Sequence, residues 1–324
     1  MELIDRVAHR LKLRDLRVLD AVAKSKSMRR AANQLHVTQP AVSKMISELE
    51  HMLGVRLFDR SRQGIEPTPH GLALLKSGVA IFDDLRQGLR EVEFLSDPAS
   101  GEVRIAASEP MAAGVLPAIV ARLFRRYPRI LIYMAQTPIA VLEHRTPQYR
   151  DLRDRNVDLI LGPIVKPFIE DDLTMEHLFD EKSVVAAGVR SHWARSRKLK
   201  LADLIDEPWC MPPPDTLAGA RIIEAFRACR LDVPRRKVVT SSVQLYLGLL
   251  ATERFLTIVP DSMLRFSGER FAIKPLPINL SVPPRPIGLV TLKNRTMGPG
   301  ARLFAQTARE VTKTLRKQRK ELLS

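Results

Sequence analysis

The chain has 324 residues, 45% of them hydrophobic, and its 52 basic and 36 acidic side chains give a formal net charge of +16. This length allows two or three domains with ordinary cores, and the charge favours a polyanionic partner. The two cysteines lack metal-binding spacing, the seven histidines are scattered, and no G-x-S-x-G, H-E-x-x-H or phosphate-loop motif occurs. We therefore expect no enzyme activity, no cofactor and no metal site.

The expected compartment is the cytoplasm. The first residues, MELIDRVAHRLKLRDL, are charged throughout and do not resemble a signal peptide, and no apolar run approaches membrane-spanning length. For the same reason no membrane partner is expected, and the two cysteines agree with a reducing compartment. The first 100 residues hold 16 basic and 13 acidic side chains, so most of the positive charge lies downstream and does not locate a binding site.

Three short helices are predicted in the first 54 residues. Apolar residues recur at helical spacing around Leu16 and again from Met28 to Leu35, and the turn His36-Val37 leads into a third helix. That helix is expected to begin at Gln39, with Thr38 as a hydroxyl N-cap, and to end at Gly54. Two helices joined by such a turn are typical of the helix-turn-helix, whose second helix enters the major groove of DNA.

The third helix has two different faces. Val42, Ile46 and Leu49 form an apolar stripe that must be buried. The other face is short, polar and nearly free of acid, and it carries Gln39, Pro40, Ser43, Lys44 and Ser47. Side chains of this kind suit hydrogen bonds to base edges and phosphates, although an ordinary solvated face has the same composition.

A small β-wing is predicted to follow. Leu57 and Phe58 start one strand, SRQG forms the turn, and IEPTP returns before Gly71. Arg60 and Arg62 lie at this turn, where they either contact DNA or only solvate the hairpin tip.

The segment RRAANQLHVTQPAVSKMISELEHMLGVRLFDRSRQGIEPTPHG resembles the winged helix-turn-helix of LysR-type transcriptional regulators, through its A-A-x-x-L, T-Q-P-A-x-S, L-E-x-x-L-G, L-F-x-R and T-P-x-G features. The resemblance continues through the chain in layout and is weaker in motif beyond the first third. It implies double-stranded DNA as a partner and a homodimer or homotetramer, with RNA polymerase as a further candidate partner. Together with the pattern of the residues, it indicates these DNA-binding positions: Gln39, Pro40, Ala41, Ser43, Lys44, Ser27, Arg29, Arg60, Arg62 and Thr68.

A long helix of roughly 25 residues is predicted between Gly71 and Asp97, because apolar residues return every three or four positions from Leu72 to Leu95. Such a helix packs either on its own chain or on a second copy, and the resemblance implies the second copy. The expected domains are therefore residues 1–71 for DNA binding, 72–98 for the linker helix and 99–324 for regulation.

Strands alternate with helices from Gly101 onward, which favours a doubly wound α/β fold. Two strands within MEHLFDEKSVVAAG look like a crossing into a second lobe. The expected lobes are residues 101–174 with 277–324, and 175–276. The full prediction of fold class is α/β with an N-terminal winged helix-turn-helix, a linker helix and a two-lobed domain like periplasmic binding proteins, as the family resemblance implies.

Ligands in such folds bind beyond the carboxyl ends of strands, in the crevice between lobes. Ser108 and Ser242 stand at predicted helix starts, where they attract an anion or merely cap the helix. The resemblance supports Ser108, Thr137 and Ser242 as contacts of a small-molecule effector. The complete predicted set is Ser108, Glu109, Gln136, Thr137, Gly162, Pro163, Pro213, Asp215, Ser241 and Ser242.

The chemistry of the effector stays open between a sugar, an aromatic compound and an organic acid, because Glu109 and Asp215 work against a strongly anionic ligand unless an arginine offsets them. The stretches RFLTIVPDSMLRF and WCMPPPD resemble a LysR-type subgroup typified by regulators of a galactose-binding protein.

The leading hypothesis is a sequence-specific transcriptional regulator whose DNA binding responds to a ligand between two lobes. One alternative is a solute-binding or catalytic α/β protein with an incidental N-terminal helical domain. Another is a constitutive repressor with a vestigial sensor, for which no small molecule would change the affinity for DNA.

Overall fold

The computed structural model describes residues 7, 9–61, 64–136, 149–164, 170–235 and 237–321. It divides into two compact units, Met1–Arg86 and Gln87–Ser324.

The first unit begins with the three predicted helices, α1 (Leu13–Ser25), α2 (Met28–Leu35) and α3 (Gln39–Leu53). Both of the short connections use left-handed backbone, at Lys26 after α1 and at His36 after α2. Their shared core is aliphatic and includes Leu19, Val22, Ala31, Ala32, Val42, Ile46 and Leu49. The apolar stripes read from the sequence are therefore the buried faces of these helices.

The wing is a two-stranded antiparallel sheet of β1 (Phe58–Ser61) and β2 (Gly64–Pro67). A hydrogen bond from the Ile65 amide to the Lys26 carbonyl, at 3.3 Å, attaches β2 to the end of α1. The wing is thus fixed to the helix bundle through its backbone.

Helix α4 (Pro69–Ser96) has 28 residues and begins before Gly71, which was expected to precede it. Gly71 lies in its first turn, where the backbone passes close to Leu57, the residue before β1: a Cβ atom built there would lie 2.1 Å from the Leu57 carbonyl oxygen. Glycine is therefore required by packing at this position and does not mark the helix end.

The second unit contains the first lobe, a five-stranded sheet with the order β4-β3-β5-β12-β6. Strand β3 is parallel to β4 and β5, and β12 is antiparallel to β5 and β6. The strands are β3 (Ser100–Ala107), β4 (Arg129–Gln136), β5 (Leu159–Pro163), β6 (Leu173–Glu181) and β12 (Arg285–Leu292), and the helices are α5 (Glu109–Ala113), α6 (Val115–Arg126), α7 (Arg150–Arg153) and α11 (Pro299–Glu321).

The second lobe has two small sheets. One is antiparallel with the order β10-β7-β11, and the other pairs β8 and β9 in parallel. Its strands are β7 (Ser183–Gly188), β8 (Trp209–Met211), β9 (Lys237–Val239), β10 (Thr257–Pro260) and β11 (Ile273–Pro275), and its helices are α8 (Leu217–Ala228), α9 (Val243–Ala251) and α10 (Asp261–Ser267). Helix α10 and strand β11 were not predicted, because each is too short for a periodic apolar pattern.

The chain crosses between the lobes twice. The first crossing is at Lys182, between β6 and β7, later than the change expected at residue 175. The reason is that β6 pairs with β12 from Leu173 to Glu181, so it belongs to the sheet of the first lobe. The second crossing lies between β11 and β12.

Candidate DNA interface and effector site

Helix α3 presents the two faces that its sequence predicts. Val42, Ile46 and Leu49 are buried, whereas Gln39, Pro40, Lys44 and Ser47 are exposed, and Ala41 and Ser43 are half-buried beside them. Thr38 occupies the N-cap position with extended backbone, but its hydroxyl accepts no hydrogen bond from the first turn, contrary to expectation. Gly54 ends the helix in the left-handed conformation, as predicted.

The single cation on this face is weakly held. Lys44 Nζ lies 3.8 Å from Glu48 Oε1, and both side chains are largely exposed. Surface pairs of this kind contribute little, so Lys44 can exchange Glu48 for a phosphate.

Helix α2 adds polar and basic groups at its start. Ser27 is its N-cap and accepts a hydrogen bond from the Arg30 amide at 3.4 Å. Arg29 is exposed, and so is Arg30, which sequence reasoning did not single out although it follows directly.

The described residues include only part of the two predicted wing arginines. The backbone of Arg60 lies in β1 opposite Ile65, while its side chain and the whole of Arg62 lie outside the described residues.

Thr68 was expected to touch phosphate, and the structure gives its hydroxyl another role. It donates to the Arg56 carbonyl at 2.8 Å and accepts from the Gly71 amide at 3.1 Å, and the residue is only 8% exposed. Thr68 therefore caps α4 and ties it to the wing, and its side chain is not accessible to DNA in this structure.

The predicted effector residues of the first lobe lie at one edge of its sheet, because β3, β4 and β5 are mutually parallel. Ser108 follows β3, is 6% exposed, and its hydroxyl makes no hydrogen bond with the described part of the chain. Gln136 ends β4 and is exposed, and Gly162 and Pro163 pair with β12. Thr137 lies outside the described residues.

The two lobes meet at Glu109. Its Oε1 atom accepts a hydrogen bond of 2.8 Å from the Val243 amide, at the first residue of α9. Ser242 is the N-cap of this helix and accepts from the Leu245 amide at 3.2 Å, and the adjacent Ser241 is exposed. The structure therefore places the Glu109 carboxylate of the first lobe against the start of α9, directly after Ser241 and Ser242.

The loop with Pro213 and Asp215 is built around Thr216. The Thr216 hydroxyl donates to the Pro213 carbonyl at 2.7 Å and accepts from the Gly219 amide at 3.0 Å, which caps α8. Asp215 is exposed. Among the described residues, no hydrogen bond or ion pair joins Pro213 or Asp215 to Ser108, Glu109 or Ser242.

A shallow, open depression of about 420 Å³ lies on the surface of α9, from Ser242 to Leu249. It is lined by this one helix and its N-cap alone, so it lacks the enclosing walls of a typical small-molecule site. Its lining residues are Ser242, Gln244, Leu245, Gly248 and Leu249.

Within the described ranges, no three His, Cys, Asp or Glu side chains gather in a way that could hold a metal ion. None of the helices described combines the length and apolar character of a membrane span.

Comparison with known proteins agrees with this geometry. Residues 13–72 match the family model of the bacterial regulatory helix-turn-helix protein, lysR family, and residues 96–313 match the LysR substrate binding domain. The chain belongs to the LysR family. It is a DNA-binding transcriptional regulator with an effector-binding domain, which decides against a solute-binding or catalytic protein with an incidental N-terminal domain.

Individual LysR-type relatives match over nearly the whole chain. The regulator GbpR of Azospirillum brasilense is 26% identical over 306 residues, covering 94% of this chain and 88% of GbpR. PcaQ of Agrobacterium fabrum is 29% identical over 311 residues, covering 94% of this chain and 96% of PcaQ. Full-length CbnR in complex with its target DNA shares the fold, with a TM-score of 0.60 at 20% identity over 93% of this chain and all of CbnR.

Proposed function

We propose that α3 is the recognition helix of this LysR-type regulator and that Gln39, Pro40, Ala41, Ser43 and Lys44 face the major groove. The burial pattern of α3 carries this assignment. Its aliphatic face is buried in the core, whereas its other face is polar and nearly free of acidic side chains. The Thr38 hydroxyl at the start of the helix makes no capping hydrogen bond. Ser27, Arg29 and the wing arginines Arg60 and Arg62 are assigned to the phosphates that flank the groove.

The dimer is proposed to form through α4. Leu85, Leu89, Val92 and Leu95 follow each other at helical spacing and are 45–74% exposed in the single chain. Burying such a stripe against a second copy removes apolar surface from water and places two recognition helices on two half-sites.

Further exposed apolar side chains lie on the edge strand β4, and another is exposed on helix α6. Leu131 and Tyr133 project from the same face of β4, and Phe124 is exposed on α6. Two separate self-association surfaces on each chain are what a homotetramer needs. The homotetramer is therefore the assembly we propose, with RNA polymerase as a further candidate partner and the cytoplasm as the compartment in which the protein reads DNA.

Regulation is assigned to a small molecule between the lobes, at Ser108, Glu109, Gln136, Thr137, Ser241 and Ser242. Such a ligand changes DNA binding only if its affinity differs between two arrangements of the lobes. A coupling free energy of about 1 to 3 kcal/mol is the usual range for this kind of linkage.

The test begins with selection of bound sequences from random duplexes by the purified full-length protein, followed by footprinting of the winning duplex. The footprint is then repeated with a panel of sugars, amines and aromatic acids. We expect a two-fold symmetric footprint that one class of compound alters. A symmetric footprint that no compound alters would favour the constitutive repressor, and no enrichment at moderate salt would contradict the DNA interface.

A further inference from the structure

The N-terminus of α9 already holds a carboxylate that belongs to the chain itself. Glu109 Oε1 accepts the Val243 amide at 2.8 Å, across the two lobes and 134 residues apart in sequence. Free amides and the helix dipole make such an end favourable for an anion. In this regulator the place that an anionic effector would take is filled by Glu109.

Contacts beyond Glu109 hold this carboxylate in position. At the far end of α5, the Ala113 carbonyl accepts a hydrogen bond of 2.6 Å from the Ser267 hydroxyl of the second lobe. The next residue, Gly114, approaches α10 so closely that a Cβ atom there would lie 3.0 Å from Met263 Cα. Helix α5 is therefore docked on the second lobe at both ends, and Glu109 is not a freely moving surface side chain.

The charge of Glu109 is not neutralised by a basic residue in the described part of the chain. The Val243 amide is its one polar partner there, and no lysine or arginine forms an ion pair with it. The neighbouring residue Ser108 is 6% exposed, and its hydroxyl makes no hydrogen bond with described residues. This part of the cleft thus offers a carboxylate acceptor without a basic partner and a hydroxyl, an arrangement that disfavours a second carboxylate.

We propose that Glu109 is a specificity-determining residue of the effector site. It excludes carboxylate groups from the N-terminus of α9 and accepts hydrogen bonds from the hydroxyl or amine groups of a neutral or positively charged effector. This inference rests on the proposed placement of the effector between Ser108 and Ser242. It restricts the effector to small molecules that donate hydrogen bonds and carry no carboxylic acid group.

The first experiment uses acetate as the probe and the amide resonance of Val243 as the readout, in the full-length protein. We expect a millimolar acetate titration to leave this resonance unchanged in the wild type and to shift it saturably in Glu109→Ala, where the amide is free. The matched control is Asp232→Ala, which removes an exposed acid of the second lobe outside the predicted site and should behave as the wild type. A saturable shift in the wild type, or none in folded Glu109→Ala, would overturn the proposal.

The second experiment compares ligands that differ in charge, using D-galactose with D-galacturonate and benzylamine with benzoate. In the wild type the acid of each pair should raise the melting temperature less than its partner does. Glu109→Gln retains an acceptor for the Val243 amide without the charge. In this variant the Kd of each acid, relative to the Kd of its partner, should fall by at least about tenfold, the factor that 1.4 kcal/mol represents. An acid that binds the wild type more tightly than its partner would also overturn the proposal. If no compound binds, the effector site itself loses support, whereas the acetate titration still decides the role of Glu109.

Discussion

The carboxylate of Glu181 accepts hydrogen bonds from both the amide and the hydroxyl of Ser262, the amide at 3.0 Å. Glu181 is the last residue of β6 and Ser262 lies in the first turn of α10, so this pair joins the two lobes beside the crossing at Lys182. Burial raises the pKa of Glu181 from its ordinary value of 4.5 to about 7, although both bonds from Ser262 and the charge of Arg265 act in the opposite direction. The charge of Asp261 adds to the increase.

This pKa shift predicts that the regulatory domain loses stability as the pH rises. Because the folded-state pKa of Glu181 is above the unfolded value, the folded protein binds the proton more tightly, and the free energy of unfolding falls as pH rises from about 4.5 to about 7. Glu181→Gln removes the charge, keeps an oxygen that accepts from the Ser262 amide, and places an NH2 group that can donate to the Ser262 hydroxyl. At pH 8 the free energy of unfolding of the variant should exceed that of the wild type by roughly 1–3 kcal/mol. At pH 5 most of this difference should be absent.

The measurement is denaturant unfolding at both pH values, followed by tryptophan fluorescence. Both tryptophans of the chain, Trp193 and Trp209, lie in the core of the second lobe and report on that lobe. Glu48→Gln removes an exposed carboxylate of α3 and should leave the pH dependence unchanged. Equal pH dependence in Glu181→Gln and the wild type would contradict the role of Glu181.

Ser43→Glu should weaken binding to the selected operator by about 2 to 4 kcal/mol, because it places a negative charge against DNA and removes a contact at a base edge. Fluorescence anisotropy at fixed salt measures the effect, and circular dichroism confirms the fold. Ser77→Glu adds the same charge at an exposed position of α4 and serves as the control. If Ser43→Glu bound the operator as tightly as the wild type, the assignment of α3 to the DNA interface would be wrong.

Thr68→Ala should lower the free energy of unfolding of the DNA-binding unit by about 1–2 kcal/mol, because the cap of α4 and the bond to Arg56 are both lost. Thr68→Ser keeps the hydroxyl and should remain close to the wild type. Thermal unfolding by circular dichroism compares the two variants. A different result would support the phosphate contact expected from the sequence: Thr68→Ala would keep its stability but lose affinity for DNA at temperatures well below its melting temperature.

Leu89→Glu should shift the assembly toward smaller species, because it introduces a charge into the apolar stripe of α4. Leu89 is 58% exposed in the single chain, and a buried dimer contact would leave that charge without a partner. Sedimentation velocity across a concentration series measures the change. Leu13→Glu alters an exposed leucine outside α4 and should leave the assembly intact; an unchanged assembly in Leu89→Glu would exclude this stripe as the interface.

Local signals determined much of this protein from the sequence alone. Helix α3 runs from Gln39 to Leu53 as predicted, because an extended Thr38, an early proline and the left-handed Gly54 act within one turn of the helix ends. The aliphatic stripes also identified the buried faces of the first three helices, since a 3.6-residue period needs no knowledge of the rest of the chain. The family motifs lie in this same region, and the function followed from them.

Tertiary structure decided the features that join distant residues. Strand β6 belongs to the first lobe because β12, more than 100 residues later, pairs with it, and no local pattern in β6 distinguishes the two lobes. The sequence predicted that Thr68 contacts DNA, whereas in the folded chain its hydroxyl bonds to the Arg56 carbonyl and the Gly71 amide. The bonds of Glu109 to Val243 and of Glu181 to Ser262 likewise exist only once the lobes are packed together, because a side-chain carboxylate finds its partner through space and not through its neighbours in sequence.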